Sequence, residues 1–128
     1  MQIATVVIPN LNGMKYLKDC LDSLRRQTRT DFSVILIDNG STDGSADYVA
    51  QNYPGVRVER FSENRGFCGA VNAGIRMSST RYVILLNNDT EIEPDFALRL
   101  LASIKKDRKR FSCQACMIQY HDHSKMDD

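Results

Sequence analysis

An apolar run in this sequence ends abruptly in two amides and a carboxylate, at Asn87, Asn88 and Asp89. The run covers residues 82–86, and a short apolar run bounded by turn formers is typical of a buried strand in a parallel sheet. Amide and carboxylate oxygens at such a strand end suit Mg²⁺, which prefers oxygen ligands and often bridges to phosphates. The alternative is a polar turn, because Asn and Asp side chains bond the local backbone. Repetition of the pattern elsewhere favours a binding site.

Three more apolar runs end in the same kind of polar cluster, at residues 3–8, 32–37 and 56–61. A helical pattern follows each cluster, so strand and helix alternate along the chain. This alternation predicts an α/β fold with a Rossmann-like, open and mainly parallel sheet and helices on both faces. The carboxyl ends of parallel strands meet at one edge of the sheet, where such folds bind ligands. We therefore expect the four clusters to line one crevice.

Composition and charge limit the classes of function. The chain has 128 residues and a net charge of +1, which predicts one domain, residues 1–128, and no nucleic acid partner. No apolar run approaches the roughly 20 residues that cross a bilayer, and the N-terminus lacks the pattern of a signal peptide. We therefore expect a cytoplasmic protein. The basic run at 105–110 indicates a solvated helix end, with a peripheral contact at the inner face of the membrane as the alternative.

The C-terminal region carries residue types that bind zinc, namely Cys113, Cys116, His121 and His123. Only four residues separate Cys116 from His121, whereas finger sites place about a dozen between the two pairs. Residues 111–120 have the pattern of a fifth strand, on which the two cysteines would point to opposite faces. The sequence therefore predicts no zinc site. The other cysteines are predicted to be small buried apolar groups: Cys20 and Cys68.

Taken together, the four polar clusters resemble the motifs of the family-2 inverting glycosyltransferases of the GT-A fold. The resemblance lies in residues 6–13, 37–45, 64–66 and 86–90, and their order and spacing agree over nearly the whole chain. The Asn-Asn-Asp-Thr variant at 87–90 is similar to the branch that contains rhamnosyltransferases of bacterial cell-surface polysaccharides. The resemblance implies a nucleotide-diphospho-sugar transferase fold that is truncated after its fifth strand.

This resemblance implies a site for a UDP- or dTDP-sugar. Asp38 matches the acid that accepts a hydrogen bond from N3–H of uracil or thymine, a proton that cytosine lacks. Arg65 lies where a cation would meet the diphosphate, with a surface ion pair as the alternative. Gly66 permits close approach of the backbone before a helix N-terminus. The other positions assigned to the nucleotide sugar are Pro9, Asn10, Asn12, Asn39, Asn87 and Asn88.

The family's Asp-x-Asp metal motif corresponds here to Asn87, Asn88 and Asp89, so only Asp89 keeps its carboxylate. Asp89 is therefore expected to be the sole protein charge on Mg²⁺ or Mn²⁺, with diphosphate oxygens and water completing the shell. Inverting transfer also needs a general base for the acceptor hydroxyl. That carboxylate is expected beyond Asp128, so the chain resembles a donor-binding half without its acceptor half and contains no catalytic base.

The resulting hypothesis is a glycosyltransferase that moves sugar from a UDP- or dTDP-sugar to a saccharide or lipid-linked acceptor in cell-surface polysaccharide synthesis. The alternative is a non-catalytic sugar-nucleotide-binding or interaction module that has the same fold. A dinucleotide-dependent oxidoreductase is excluded, because no G-x-G-x-x-G follows the first strand. An uncovered C-terminal strand would offer an open edge, which predicts self-association through that strand.

Overall fold

The computed structural model describes residues 1–106 and the backbone of two short strands at 118–119 and 126–127. Its centre is a parallel sheet of four strands in the order β3-β2-β1-β4. These strands are β1 (Ala4–Asn10), β2 (Phe32–Asp38), β3 (Val56–Arg60) and β4 (Tyr82–Leu85). The helices between and after them are α1 (Met14–Arg25), α2 (Ser45–Asn52), α3 (Gly66–Met77) and α4 (Phe96–Lys106). The predicted alternation of strand and helix is confirmed.

Helices cover both faces of the sheet, because successive side chains of a strand point to opposite faces. One face of β1 contributes Val6 and Ile8 to a core cluster with α1, α2 and α4. The other face contributes Val7, which packs with Ala70 of α3. A Cβ on Gly74 would overlap the Val7 side chain, so glycine is what allows α3 to lie close against the sheet.

One expectation about burial is only partly confirmed and another is wrong. The run at 82–86 was expected to be buried, and Ile84 and Leu86 are, but Val83 is 37% exposed and Leu85 is 51% exposed. Their strand, β4, is an edge strand among the described elements, and a short apolar run does not distinguish an edge strand from a central one. Cys68, expected to be buried in its helix, is exposed, whereas Cys20 is buried as predicted.

The C-terminal region is described only in part. β5 (Ile118–Gln119) and β6 (Met126–Asp127) form a separate antiparallel pair, so the described part of the expected fifth strand is not hydrogen-bonded to the main sheet. The zinc-type residues lie outside the described residues, and both the absence of zinc and the self-association of this region stay predictions. Among the helices that are described, none has the length and apolar character to cross a membrane.

The order of strands creates a switch point between β1 and β4. The chain adds β2 and β3 on one side of β1 and then crosses to the other side for β4. The last backbone hydrogen bond between β4 and β1 runs from the Leu86 N–H to the Val7 carbonyl. The next donor on that side of β1 would belong to Pro9, which has no N–H. The two strands therefore separate at their carboxyl ends, and open α/β sheets bind ligands at such a position.

One carboxylate caps two of the helices that begin at this edge. Asp43 Oδ2 accepts the backbone N–H of Met14 at 3.0 Å, and Asp43 Oδ1 accepts that of Ser45 at 2.9 Å. These are the first residues of α1 and α2. Partial burial would raise the pKa of Asp43, but the hydrogen bonds from Ser45 and Met14 outweigh it and lower the pKa below its ordinary value.

We expect Asp43→Ala to lower the free energy of unfolding by about 1–2 kcal/mol, the usual effect of losing a helix cap. Because the pKa of Asp43 is lowered in the folded state, its contribution is present above the ordinary carboxyl pKa and is lost as pH falls through the lowered value. Urea unfolding at neutral pH and at a pH well below the ordinary carboxyl pKa of about 3.9 tests this, since the loss should shrink in acid. Asp19→Ala, at an exposed position of α1, is the control; an equal loss in both variants would contradict the capping role.

Candidate nucleotide-sugar site

The strand ends bring the predicted residues together at one edge of the sheet. Asn10 ends β1 and Asp38 ends β2, and the register pairs them directly. Asn10 Nδ2 donates to Asp38 Oδ1 at 3.0 Å, and Asn88 Nδ2 donates to Asn10 Oδ1 at 2.8 Å. The polar clusters after β1, β2 and β4 therefore contribute to one chain of hydrogen bonds. The cluster after β3 joins this chain through Asn39.

Asp38 is a buried carboxylate in the wall of a cleft. Only 4% of the residue is exposed, and its Oδ2 accepts the backbone N–H of Ser41 at 3.1 Å. An ionised carboxylate has about four lone-pair positions, so the two bonds within the protein leave capacity for a further donor. The cleft has a volume of about 370 Å³, which is within the range of small-molecule pockets. It is lined by Asp38, Ser41, Thr42, Gly44, Ala46, Asp47, Arg60 and Phe61.

Asn39 connects the end of β2 to the turn that precedes α3. Its Oδ1 accepts the backbone N–H of Arg65 at 2.8 Å, and its Nδ2 donates to the Gly66 carbonyl at 3.1 Å. Gly66 has a φ of +76°, a conformation that favours glycine. The Arg65 guanidinium lies 4.1 Å from the centre of the Phe61 ring, and among residues 1–106 it has no ion-pair partner. Arg65 thus presents its charge beside the cleft that Phe61 lines.

The loop after β1 is fastened to the loop after β2. Asn12 Oδ1 accepts the backbone N–H of Thr42 at 2.8 Å, and its own N–H donates to Ser41 Oγ at 2.9 Å. Asn12 has a φ of +51°, which asparagine adopts more readily than most residues. Pro9 is half-buried in the last part of β1. Asn12 therefore holds Ser41 and Thr42, which line the cleft, whereas Pro9 is not among the lining residues.

Asp89 projects from the chain segment that follows β4. Its carboxylate is exposed and has no hydrogen bond or ion pair within residues 1–106. The backbone before it is held by the Asn87 carbonyl, which accepts from Thr90 Oγ1 at 2.7 Å and from the Cys20 thiol at 3.7 Å. Burial raises the pKa of the Cys20 thiol to about 11, so it remains a protonated donor at neutral pH.

This arrangement fits a cation that is shared with a ligand rather than one that is enclosed by protein. Across the described part of the chain, no group of three or more His, Cys, Asp or Glu side chains converges on a common point. An isolated carboxylate at a ligand-binding edge is the donor set expected for Mg²⁺ held together with phosphate oxygens and water. Asn87 and Asn88 add neutral oxygen donors beside it.

Sequence reasoning did not single out several residues that shape this site. Ser41 and Ser45 both accept hydrogen bonds from the Asn10 carboxamide. Gly13 matters because a Cβ there would overlap Asn88 Nδ2 and Asn10 Oδ1. Arg60 forms a 2.6 Å ion pair with Asp47 at the wall of the cleft. Gly13 is the last residue of the first polar cluster, and this position was the signal that pointed to it.

Comparison with known proteins identifies a family. Residues 5–126 match the profile described as Glycosyl transferase family 2. The uncharacterized glycosyltransferase YibD of Escherichia coli (strain K12) is 36% identical over 106 residues, which cover 80% of this chain and 30% of that protein.

Two solved structures are also similar. Staphylococcus aureus TarS 1-349 in complex with UDP has a TM-score of 0.75 at 22% identity, with 88% of this chain and 38% of that chain covered. The Pyrobaculum calidifontis mannosyltransferase PcManGT in complex with GDP-Man and Mn²⁺ has a TM-score of 0.64 at 26% identity, with 69% and 28% covered.

These comparisons bear on the fold and on the family. The chain spans less than half of the length of each of these three proteins. The likeness to TarS shows the fold, and the predicted GT-A architecture, here a four-stranded parallel sheet with helices on both faces, is confirmed. The sequence match covers nearly the whole chain, from the first strand to the last. This protein belongs to glycosyl transferase family 2.

Proposed function

We propose that this chain binds the donor of a glycosyltransferase that uses a UDP- or dTDP-sugar and transfers the sugar with inversion to a saccharide or lipid-linked acceptor. The observation that carries the proposal is the Asp38 carboxylate, which is buried in the wall of the cleft and retains acceptor capacity. The similar TarS structure is a complex with UDP, which supports a uridine nucleotide. The finer assignment to the rhamnosyltransferase-like branch rests on the Asn-Asn-Asp-Thr motif alone.

Asp38 would select the base of the nucleotide. Uracil and thymine carry a hydrogen at N3, which a carboxylate accepts. Cytosine presents an acceptor at the same position, so its N3 would face the carboxylate without a proton between them. A buried polar group that loses its partner is costly, and such a site rejects the mismatched ligand strongly. We therefore expect a preference for UDP or dTDP over CDP.

Asp89 and Arg65 would both contribute to binding of the diphosphate, Arg65 through its own positive charge and Asp89 through a bound cation. The Asp89 carboxylate would hold Mg²⁺ or Mn²⁺, and the bound ion would supply positive charge that stabilises the departing nucleoside diphosphate. The structure of PcManGT with GDP-Man and Mn²⁺ supports a divalent cation. The positions proposed to line or shape the donor site are Pro9, Asn10, Asn12, Asp38, Asn39, Arg65, Gly66, Asn87 and Asn88.

We assign neither binding of the acceptor nor removal of the proton from its hydroxyl to the residues of this chain. We expect the general base in the portion of the related proteins that this chain does not span. The last turn of α4 carries Lys105 and Lys106, which supports a peripheral contact with anionic lipid at the cytoplasmic face of a membrane. Residues 107–110 of the basic run lie outside the described residues.

Calorimetric titration tests the proposal. UDP, dTDP, CDP and GDP are titrated into the chain with and without Mn²⁺, and release of UDP from UDP-glucose and UDP-GlcNAc is then assayed. We expect UDP or dTDP to bind more tightly than CDP, and Mn²⁺ to increase that affinity. Equal affinity for all four nucleotides, or a preference for GDP, would overturn the assigned donor class. Because the general base is expected outside this chain, binding without UDP release is consistent with a donor-binding half, whereas measured UDP release would exclude the non-catalytic module.

A further inference from the structure

The carboxamide of Asn10 is occupied entirely by protein partners. Asn10 is 1% exposed, and its Nδ2 donates to Asp38 Oδ1 at 3.0 Å, to Ser45 Oγ at 2.9 Å and to Ser41 Oγ at 3.3 Å. Its Oδ1 accepts from Asn88 Nδ2 at 2.8 Å. The two amide hydrogens thus already face three oxygens, and the amide oxygen has a donor. Asn10 is therefore built to hold its neighbours rather than to contact a ligand.

The neighbours that Asn10 holds belong to opposite sides of the switch point. Asp38 ends β2 and lines the cleft, whereas Asn88 follows β4 and immediately precedes Asp89. β2 and β4 are not adjacent in the sheet, because β1 lies between them. The backbone pairing of β1 with β4 ends at Val7 and Leu85. Beyond it, the side-chain bond between Asn10 and Asn88 joins the end of β1 to the segment that carries Asp89. Asn10 thus joins the two sides.

Gly13 leaves room for this link. A Cβ at Gly13 would overlap both Asn88 Nδ2 and Asn10 Oδ1, the two atoms of the bond. The φ of Gly13 is −96°, which alanine also adopts, so its backbone conformation does not require glycine. The space that the link occupies is therefore the steric reason for glycine at this position.

We propose that Asn10 is a positioning residue that couples base recognition at Asp38 to cation and diphosphate binding at Asp89, and that Gly13 keeps this link intact. The inference rests on the proposed function, which it deepens. Buried hydrogen bonds polarise one another and hold their members in one arrangement. A disturbance at the Asn88 side should therefore reach Asp38, and each end of the site should respond to changes at the other.

The test uses a substitution that breaks the link without removing a polar group. Gly13→Ala should lower both the preference for UDP over CDP and the gain in UDP affinity on adding Mn²⁺, each by about fivefold or more, the lower end of typical site-to-site coupling. Gly55→Ala is the matched control, because a Cβ there meets no atom within 4 Å. It should change neither quantity. Thermal unfolding monitored by circular dichroism confirms that both variants are folded.

A second variant removes the donor instead of adding a methyl group. Asn88 is not among the residues that line the cleft, so a purely local role predicts that Asn88→Ala leaves the UDP-over-CDP preference unchanged. Coupling through Asn10 predicts that this preference falls. An unchanged preference in both Gly13→Ala and Asn88→Ala would overturn the inference, even if both variants bind Mn²⁺ more weakly.

Failure of the proposed function can be recognised separately. If the unmodified chain binds none of the nucleotides, the proposed function fails, and the link is judged by amide exchange in the free protein. The side-chain NH₂ of Asn88 is the donor of the link, and its signals should be protected from solvent exchange in the unmodified chain and in Gly55→Ala, and unprotected in Gly13→Ala. Rapid exchange of these protons in the unmodified chain would contradict the link.

Discussion

Replacing Asp89 with alanine should abolish the gain in UDP affinity that Mg²⁺ or Mn²⁺ provides. Asp89 is the only carboxylate of the 87–89 cluster, and its side chain is exposed at the switch edge without a hydrogen bond or ion pair in the described part of the chain. A divalent cation bound jointly with a diphosphate needs at least one such anchor on the protein. Without it, affinity in the presence of Mn²⁺ should fall to the value measured in its absence.

Calorimetric titration of UDP with and without Mn²⁺ measures this gain for the unmodified chain and for Asp89→Ala. Asp19→Ala makes the same chemical change at an exposed position of α1 and should retain the full gain. UDP affinity without metal should be nearly the same in all three proteins. A gain of normal size in Asp89→Ala would exclude Asp89 as the metal ligand.

The second large effect is expected at Asp38. Asp38→Asn keeps the size of the side chain but replaces one acceptor oxygen with a donor NH₂, which cannot accept the N3–H of uracil. A hydrogen bond to a charged group contributes about 1.5–3 kcal/mol, so the preference for UDP over CDP should fall by about tenfold or more. The amide could also donate to N3 of cytosine, which would reduce the preference further.

Competition between UDP and CDP for the chain measures this preference directly. Asp38→Asn is preferred to Asp38→Ala, because its remaining oxygen can still accept from the buried Asn10 donor, while its NH₂ replaces only the oxygen that accepts the Ser41 N–H. Asp19→Asn serves as the control and should retain the preference of the unmodified chain. An identical ratio of affinities before and after Asp38→Asn would show that Asp38 does not read the base.

Periodicity and strand ends were sufficient to predict the main architecture and the meeting of the four polar clusters at one edge of the sheet. The four clusters meet because parallel strands place their carboxyl ends at the same edge. The face of α1 that carries Leu17, Leu21 and Leu24 is buried, as its spacing predicts. Asp38 could be nominated because it directly follows an apolar run, and Asp89 because only two asparagines separate it from one; both lie at the carboxyl-terminal edge of the sheet, which agrees with that reasoning.

The hydrogen-bond network could not be predicted, because it depends on register and strand order. Asn10 reaches Asp38 because β1 and β2 pair in a register that places them side by side. It reaches Asn88 because β4 lies on the other side of β1, which no local pattern reveals. The exposure of Leu85 has the same cause, since apolar character does not show whether a strand lies at the edge of a sheet.

The most direct measurement is a crystal structure of the chain with UDP and Mg²⁺. The Asp38 carboxylate should lie within hydrogen-bond distance of uracil N3, about 2.7–3.0 Å. An Asp89 oxygen should coordinate Mg²⁺ at about 2.0–2.1 Å, together with diphosphate oxygens. Uracil bound away from Asp38, or Mg²⁺ bound to the diphosphate without Asp89, would contradict the assignment of this edge as the donor site.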